Sequence, residues 1–102
     1  MILNGKAKKD FILWLNNQPV APYEVMLDDI PKCYLNSLII EWFDSVGIYI
    51  TSDYFELNKG FYSEILDSNF AIVKPTRQEA FTEAIKKANE IYNEKIAYCN
   101  IQ

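Results

Sequence analysis

The chain has no histidine. That removes the commonest general base and metal ligand, and with it any serine or cysteine nucleophile activated by imidazole. Three glycines, Gly5, Gly47 and Gly60, are too few and too scattered to form a phosphate-cradling loop. The two cysteines, Cys33 and Cys99, make no C-x-x-C pair for zinc or redox work and no disulfide framework. Both are expected to be buried free thiols, since cysteine behaves as a small hydrophobe, and a single disulfide requires the fold to bring their Cα atoms within about 7 Å. No apolar run approaches the roughly 18 residues of a membrane span. The lysines at 6, 8 and 9 are followed by only a short apolar run, Phe11 to Leu15, too brief for a secretory leader, so the expected location is the cytoplasm.

Apolar residues are what the chain does have. They are half of its 102 residues, and fifteen are aromatic, enough to bury a core and to argue against disorder. The length suits one small domain, residues 1–102. The net charge of −4 is unevenly spread: residues 1–22 carry +2, residues 23–70 carry −7 and residues 71–102 carry +1. The acidic middle also holds ten of the fifteen aromatics. Direct nucleic-acid binding calls for the opposite bias.

The clearest local signal is C-terminal. Thr76-Arg77-Gln78-Glu79 has capping-box form, and Phe81, Ala84, Ile85, Ala88 and Tyr92 then share one helical stripe, with Ile91 at its edge. This helix is expected from Pro75 to about Lys95. If it runs further, Cys99 joins the stripe of Phe81. Glu83 and Lys87 are placed to pair at i,i+4.

A first helix is expected from Gly5 to Asn17, capped by Asn4, with Ala7, Phe11, Trp14 and Leu15 on one face. Ile12 and Leu13 point elsewhere and are surplus apolar surface. Pro19 to Pro22 is read as an extended connection. A second helix is expected from about Asp29, with Asp28 and Asp29 at its N-terminus and Pro31 in its first turn. Its inward stripe is Leu35, Leu38, Ile39, Trp42, Phe43 and Val46, and Cys33, Ser37, Ile40 and Asp44 lie opposite. Gly47 is its natural stop.

Three strands follow, Ile48–Thr51, Phe61–Leu66 and Phe70–Val73, separated by turn signals at Asn58-Lys59-Gly60 and Asp67-Ser68-Asn69. The expected fold is α+β: a three-stranded antiparallel meander with helices on one face, in the order α-α-β-β-β-α. So small a sheet leaves one face and its edges open.

Trp42-Phe43-Asp44-Ser45-Val46-Gly47-Ile48-Tyr49-Ile50, taken with the helix from Thr76 to Glu90, resembles small proteins encoded by bacteriophages and prophages of gut bacteria. The resemblance covers roughly the second half of the chain and brings no catalytic motif. It implies a bacterial or phage cytoplasmic origin and an accessory role.

Carboxylates are the chemistry that remains. Asp28 with Asp29, or Asp53 with Glu56, could hold a hard cation, but helix capping and loop solvation are the better account of them, since helix starts recruit acids for the dipole alone. Glu56-Leu57-Asn58-Lys59 is a poor imitation of a carboxylate–lysine nuclease motif. No cofactor, metal or catalytic residue is assigned. Tyr49, Tyr54 and Tyr62 could form an aromatic contact surface on the outer face of the sheet, although partial packing into the core with the hydroxyls in water is the more ordinary place for tyrosine. The expected function is therefore a non-enzymatic protein-interaction module, binding a protein partner or itself as a homodimer through Ile12 and Leu13 or through a sheet edge. Two alternatives are an acidic decoy for a nucleic-acid-binding protein, which needs the acids on one face, and a metal-dependent enzyme using carboxylates.

Overall fold

The computed structural model describes residues 1–18 and 30–101, with Asn58 and residues 96–101 described by their backbone. In chain order the elements are α1 (Gly5–Asn16), α2 (Lys32–Ser45), β1 (Ile50–Phe55), a 3-10 turn (Glu56–Asn58), β2 (Gly60–Ile65), β3 (Ala71–Lys74) and α3 (Arg77–Ile101). The strands form one antiparallel sheet in the order β1-β2-β3, so the α+β meander expected from the sequence is the fold. Asp28, Asp29 and the segment from Pro19 to Pro22 lie outside the described residues.

Alternation along the strands decides which side chains meet the helices. Ile50 pairs with Ile65, Ser52 with Ser63 and Tyr54 with Phe61, which puts these six on one face. Ile50, Ser63 and Ile65 are buried there. The opposite face carries Thr51, Asp53, Phe55, Tyr62, Glu64, Ala71 and Val73.

Helix α3 crosses the inner face. Ala80, Ala84, Ile85 and Ala88 are fully buried, because alanine lets the helix backbone approach the sheet closely. The Thr76 hydroxyl accepts the Glu79 N–H at 3.1 Å, as the capping sequence requires. The helix continues to Ile101, well past the expected stop at Lys95, and at about 1.5 Å per residue it is the longest element. The expected Glu83–Lys87 pair does not form. Glu83 pairs with Lys86 at 3.5 Å and Lys87 with Glu90 at 3.4 Å, both at i,i+3 and mostly in water, where such pairs contribute little.

Helices α1 and α2 complete the core with aromatics. Trp42 sits 4.7 Å from Phe43, 5.0 Å from Tyr92 and 5.9 Å from Phe11, ring centre to ring centre. Ile12 is only partly exposed and packs against this core, whereas Leu13 is 60 % exposed. Three expectations on α2 are corrected. Pro31 precedes the helix instead of lying in its first turn, and its carbonyl accepts the Leu35 N–H at 2.9 Å. Val46 is exposed: the helix ends at Ser45, Gly47 takes φ +84°, and Ile48 turns back into the core in its place. Cys33 is an exposed free thiol, because its position across from the inward stripe outweighs the general burial preference of cysteine. The Cys99 side chain lies outside those described.

Asn4 stands at the N-cap position of α1 with extended backbone, but its side chain does not cap its own helix. The cap comes from α3 instead. Asn93 Oδ1 accepts the Ala7 N–H at 2.8 Å, and Asn93 Nδ2 donates to the Asn4 carbonyl at 3.1 Å. Asn89 Oδ1 accepts the Asn4 N–H at 3.0 Å, while Asn89 Nδ2 donates to Asn4 Oδ1 at 3.0 Å. Gly5 takes φ +59° at this junction, and a Cβ there would stand 3.2 Å from the Asn93 amide, so both backbone and space favour glycine.

A second tie joins the same helices. The Tyr92 hydroxyl donates to Asp10, which also pairs with Lys6 at 3.0 Å. Burial, the Asp10 hydrogen bond and the Asp10 charge push the Tyr92 hydroxyl up from 10.0 to about 12. Burial alone would raise the Asp10 carboxyl, but the hydrogen bonds from Tyr92 and Lys6, with the Lys6 charge, bring it below the usual value of 3.8. The signs follow from linkage. The Tyr92 contribution is complete below pH 10 and is lost as pH rises from 10 towards 12. The Asp10 contribution is present above about pH 4 and is lost as pH falls further. The difference in stability between wild type and Tyr92→Phe, measured by urea unfolding, should therefore be flat near neutrality and shrink above pH 10. A difference independent of pH across that window would refute the tie.

Candidate interaction surface

Six of the nine exposed large hydrophobics among the described residues lie in or beside the β1–β2 hairpin, and Met1, Leu13 and Tyr34 lie elsewhere. Val46, Tyr49, Tyr54, Phe55 and Leu57 all lie in the approach to β1, in β1 itself or in the turn after it. Leu66, also exposed, joins them where its N–H donates to the Tyr49 carbonyl at 3.0 Å. Local geometry explains the exposure. The 3-10 turn between β1 and β2 places Leu57 at the hairpin tip, 89 % exposed. Lys59 closes the turn in the left-handed conformation, with φ 46° and ψ 46°.

Two aromatic pairs stiffen the hairpin, one on each face. Tyr54 and Phe61 meet edge to face at 5.4 Å on the helix-bearing side, where the Arg77 guanidinium lies 5.1 Å above the Phe61 ring. Phe55 and Tyr62 lie 6.4 Å apart on the open side. The Tyr62 hydroxyl donates to Glu64 at 2.9 Å, and that bond, with burial and the Glu64 charge, raises its pKa above 10.0.

The sequence-derived surface is therefore redrawn. Tyr49 and Tyr62 share the open face, but strand alternation turns Tyr54 onto the other one. Leu13 is exposed on α1, apart from this hairpin, and Ile12 spends its surface on the protein's own core. Sequence reasoning missed Val46, Phe55, Leu57 and Leu66. The available signal was Leu57, an apolar side chain inside a turn directly after two aromatic residues.

The acids of the middle segment are divided among several elements. Of the nine in the middle segment, Glu24, Asp28 and Asp29 lie outside the described residues. Glu41 and Asp44 are on α2, while Asp53, Glu56, Glu64 and Asp67 are on the sheet and its turns. Among the described residues no three His, Cys, Asp or Glu side chains stand together as a metal would require. A cleft of about 720 Å³ lies between α2 and α3, where Asn36 donates to Gln78 at 3.2 Å. Lys32, Lys74, Glu79 and Glu83 line it with opposing charges, so it has no single electrostatic preference. No described helix is long and apolar enough to cross a membrane.

No family model matches the chain, and no curated protein or solved structure was found to be similar to it.

Proposed function

We propose that this chain is a non-enzymatic protein-interaction module that engages its partner along β1 and the hairpin tip. The observation that carries the reading is one strip of chain, from the end of α2 through β1 to the hairpin turn, in which Val46, Tyr49, Tyr54, Phe55 and Leu57 are all exposed, with Leu57 almost wholly in water at its end. Isolated exposed apolar residues are ordinary, but several gathered on one hairpin point to a recognition site. Tyrosine and phenylalanine are also the residues interfaces favour. The reading extends to a phage or prophage accessory role in the cytoplasm, which rests on the sequence resemblance. The decoy alternative draws no support from acids divided between α2 and the sheet.

Affinity capture from the native cell tests the reading. Tagged wild type should retain at least one protein at near-stoichiometric level, and Phe55→Ser with Leu57→Ser should lose it. Leu13→Ser should retain it. These surface changes should alter stability by only about 0.5 kcal/mol. Identical retention by wild type and the double variant would sink the proposal.

A further inference from the structure

We infer that the partner of this strip is a second copy of the chain, joined through antiparallel pairing of the two β1 edges about a dyad at Ser52. The inference rests on the interaction-module reading and specifies its occupant.

The free edge comes from the hydrogen-bond register. The Leu66 N–H donates to the Tyr49 carbonyl, so Tyr49 and Leu66 are a hydrogen-bonded pair. Alternation then makes Thr51–Glu64, Asp53–Tyr62 and Phe55–Gly60 the remaining bonded pairs of the ladder. The N–H and C=O groups of Ile50, Ser52 and Tyr54 consequently point away from β2, along an edge with no neighbouring strand among the described residues. The other edge is guarded: β3 has four residues, ends in Lys74 and is followed by Pro75. Strand β1 has six residues, one charge and no proline, which is the composition of an edge open to pairing.

The side chains then select one register. Main-chain geometry admits only offsets that pair outward-pointing residues with each other, since a one-residue slip would turn every side chain to the wrong face. A dyad at Asp53 would set the two carboxylates directly opposite, which is destabilising. A dyad at Thr51 would leave Phe55 unmatched. A dyad at Ser52 pairs Tyr49 with Phe55 of the second copy, Ile50 with Tyr54 and Thr51 with Asp53, each twice by symmetry. Exposed aromatic side chains are thus laid on one another in the closer, non-hydrogen-bonded positions. Ser52 faces its own counterpart. Its Oγ is the buried side-chain polar atom without a hydrogen-bond partner among the described residues, so the serine–serine hydrogen bond, across Cβ atoms about 4.5–5.5 Å apart, forms by rotation of both hydroxyls out of their buried positions towards the dyad. The two three-stranded sheets become one of six strands, an ordinary size.

Sedimentation velocity on the intact chain, from micromolar to near-millimolar concentration, tests this. Wild type should sediment as a dimer, and Leu13→Ser should too. Ser52→Pro removes only an outward N–H and should leave a folded monomer, checked by circular dichroism. A cross-dyad disulfide is a second readout, because the Cα separation of a bonded antiparallel pair, about 5.5 Å, suits one. Ser52→Cys in a Cys33→Ser, Cys99→Ser background should give a covalent dimer on mild oxidation, and Lys59→Cys should not. Several results overturn the inference: a wild-type monomer throughout, a folded Ser52→Pro dimer, a dimer broken by Leu13→Ser, or no covalent dimer from Ser52→Cys. If Ser52→Pro does not fold, Ser52→Cys decides. A monomeric wild type that still captures a foreign protein through Phe55 and Leu57 would end this inference and leave the interaction module standing.

Discussion

Trp42→Ala should destabilise the protein by about 3–5 kcal/mol, the range for emptying a large aromatic site in a packed core. Trp42 is 2 % exposed and is the point where the three helices meet: its ring contacts Phe11 from α1, Phe43 from its own helix and Tyr92 from α3. The cavity cannot collapse easily, because those neighbours are anchored elsewhere. Tyr92 is held by Asp10, and Phe11 also stacks on Trp14 at 6.1 Å. With a total stability of roughly 5–15 kcal/mol for a domain of this kind, the variant should be marginally folded or unfolded. Urea titration followed by circular dichroism reads the change, and a midpoint shift worth less than about 1 kcal/mol would show that the ring is not the keystone assigned here.

Asn93→Ala should cost about 1–3 kcal/mol, the penalty for leaving a buried amide N–H without an acceptor. The group at stake is the Ala7 N–H, in a residue with no exposed surface, whose partner is the Asn93 carboxamide 86 positions along the chain. The same substitution also removes donors to the Asn4 carbonyl and to Asn4 Oδ1, both at 3.1 Å. Asn4→Ala should therefore be strongly non-additive with Asn93→Ala. A double-mutant cycle should return a coupling of about 0.5–3 kcal/mol, as contacting members of one network do. Additive single-variant effects would mean that the two asparagines act independently and that α1 is capped by solvent.

The elements that read well in the sequence are those whose signals are local. The Thr76 cap, the alanine-lined stripe of α3, the Gly47 stop and the order of the meander all follow from nearest neighbours and side-chain period. The errors arose where two local signals competed or where a distant residue intervened. Strand β1 was expected to end at Thr51, because Ser52 and Asp53 break the apolar alternation. It reaches Phe55, since Asp53 stands on the open face, where water solvates it. Ile12 was counted as surface because it lies off the main stripe of α1. Packing against the core claims it all the same.

The proposed interaction surface is half legible in the sequence: the chemistry of Tyr49, Tyr54 and Tyr62 singles them out, and all three lie in or beside the hairpin. Their division between two faces depends on β1 being longer than expected, so that Tyr54 falls within the strand and obeys its alternation. Leu57 reads in the sequence as part of a turn, and its near-complete exposure follows from its place at the hairpin tip.

The chain by itself determined its element types and order, the inward stripes of α2 and α3, and the shortage of imidazole, glycine loops and thiol clusters. These depend on composition and on periods of 2 and 3.6 residues, which are written along the backbone. Tertiary structure alone decided that α3 caps α1 through Asn93 and that Tyr92 meets Asp10. It also decided that the apolar residues in and beside the β1–β2 hairpin stay exposed. Each of these joins groups far apart in sequence, or turns on what neighbouring elements leave uncovered, and no local pattern carries that information.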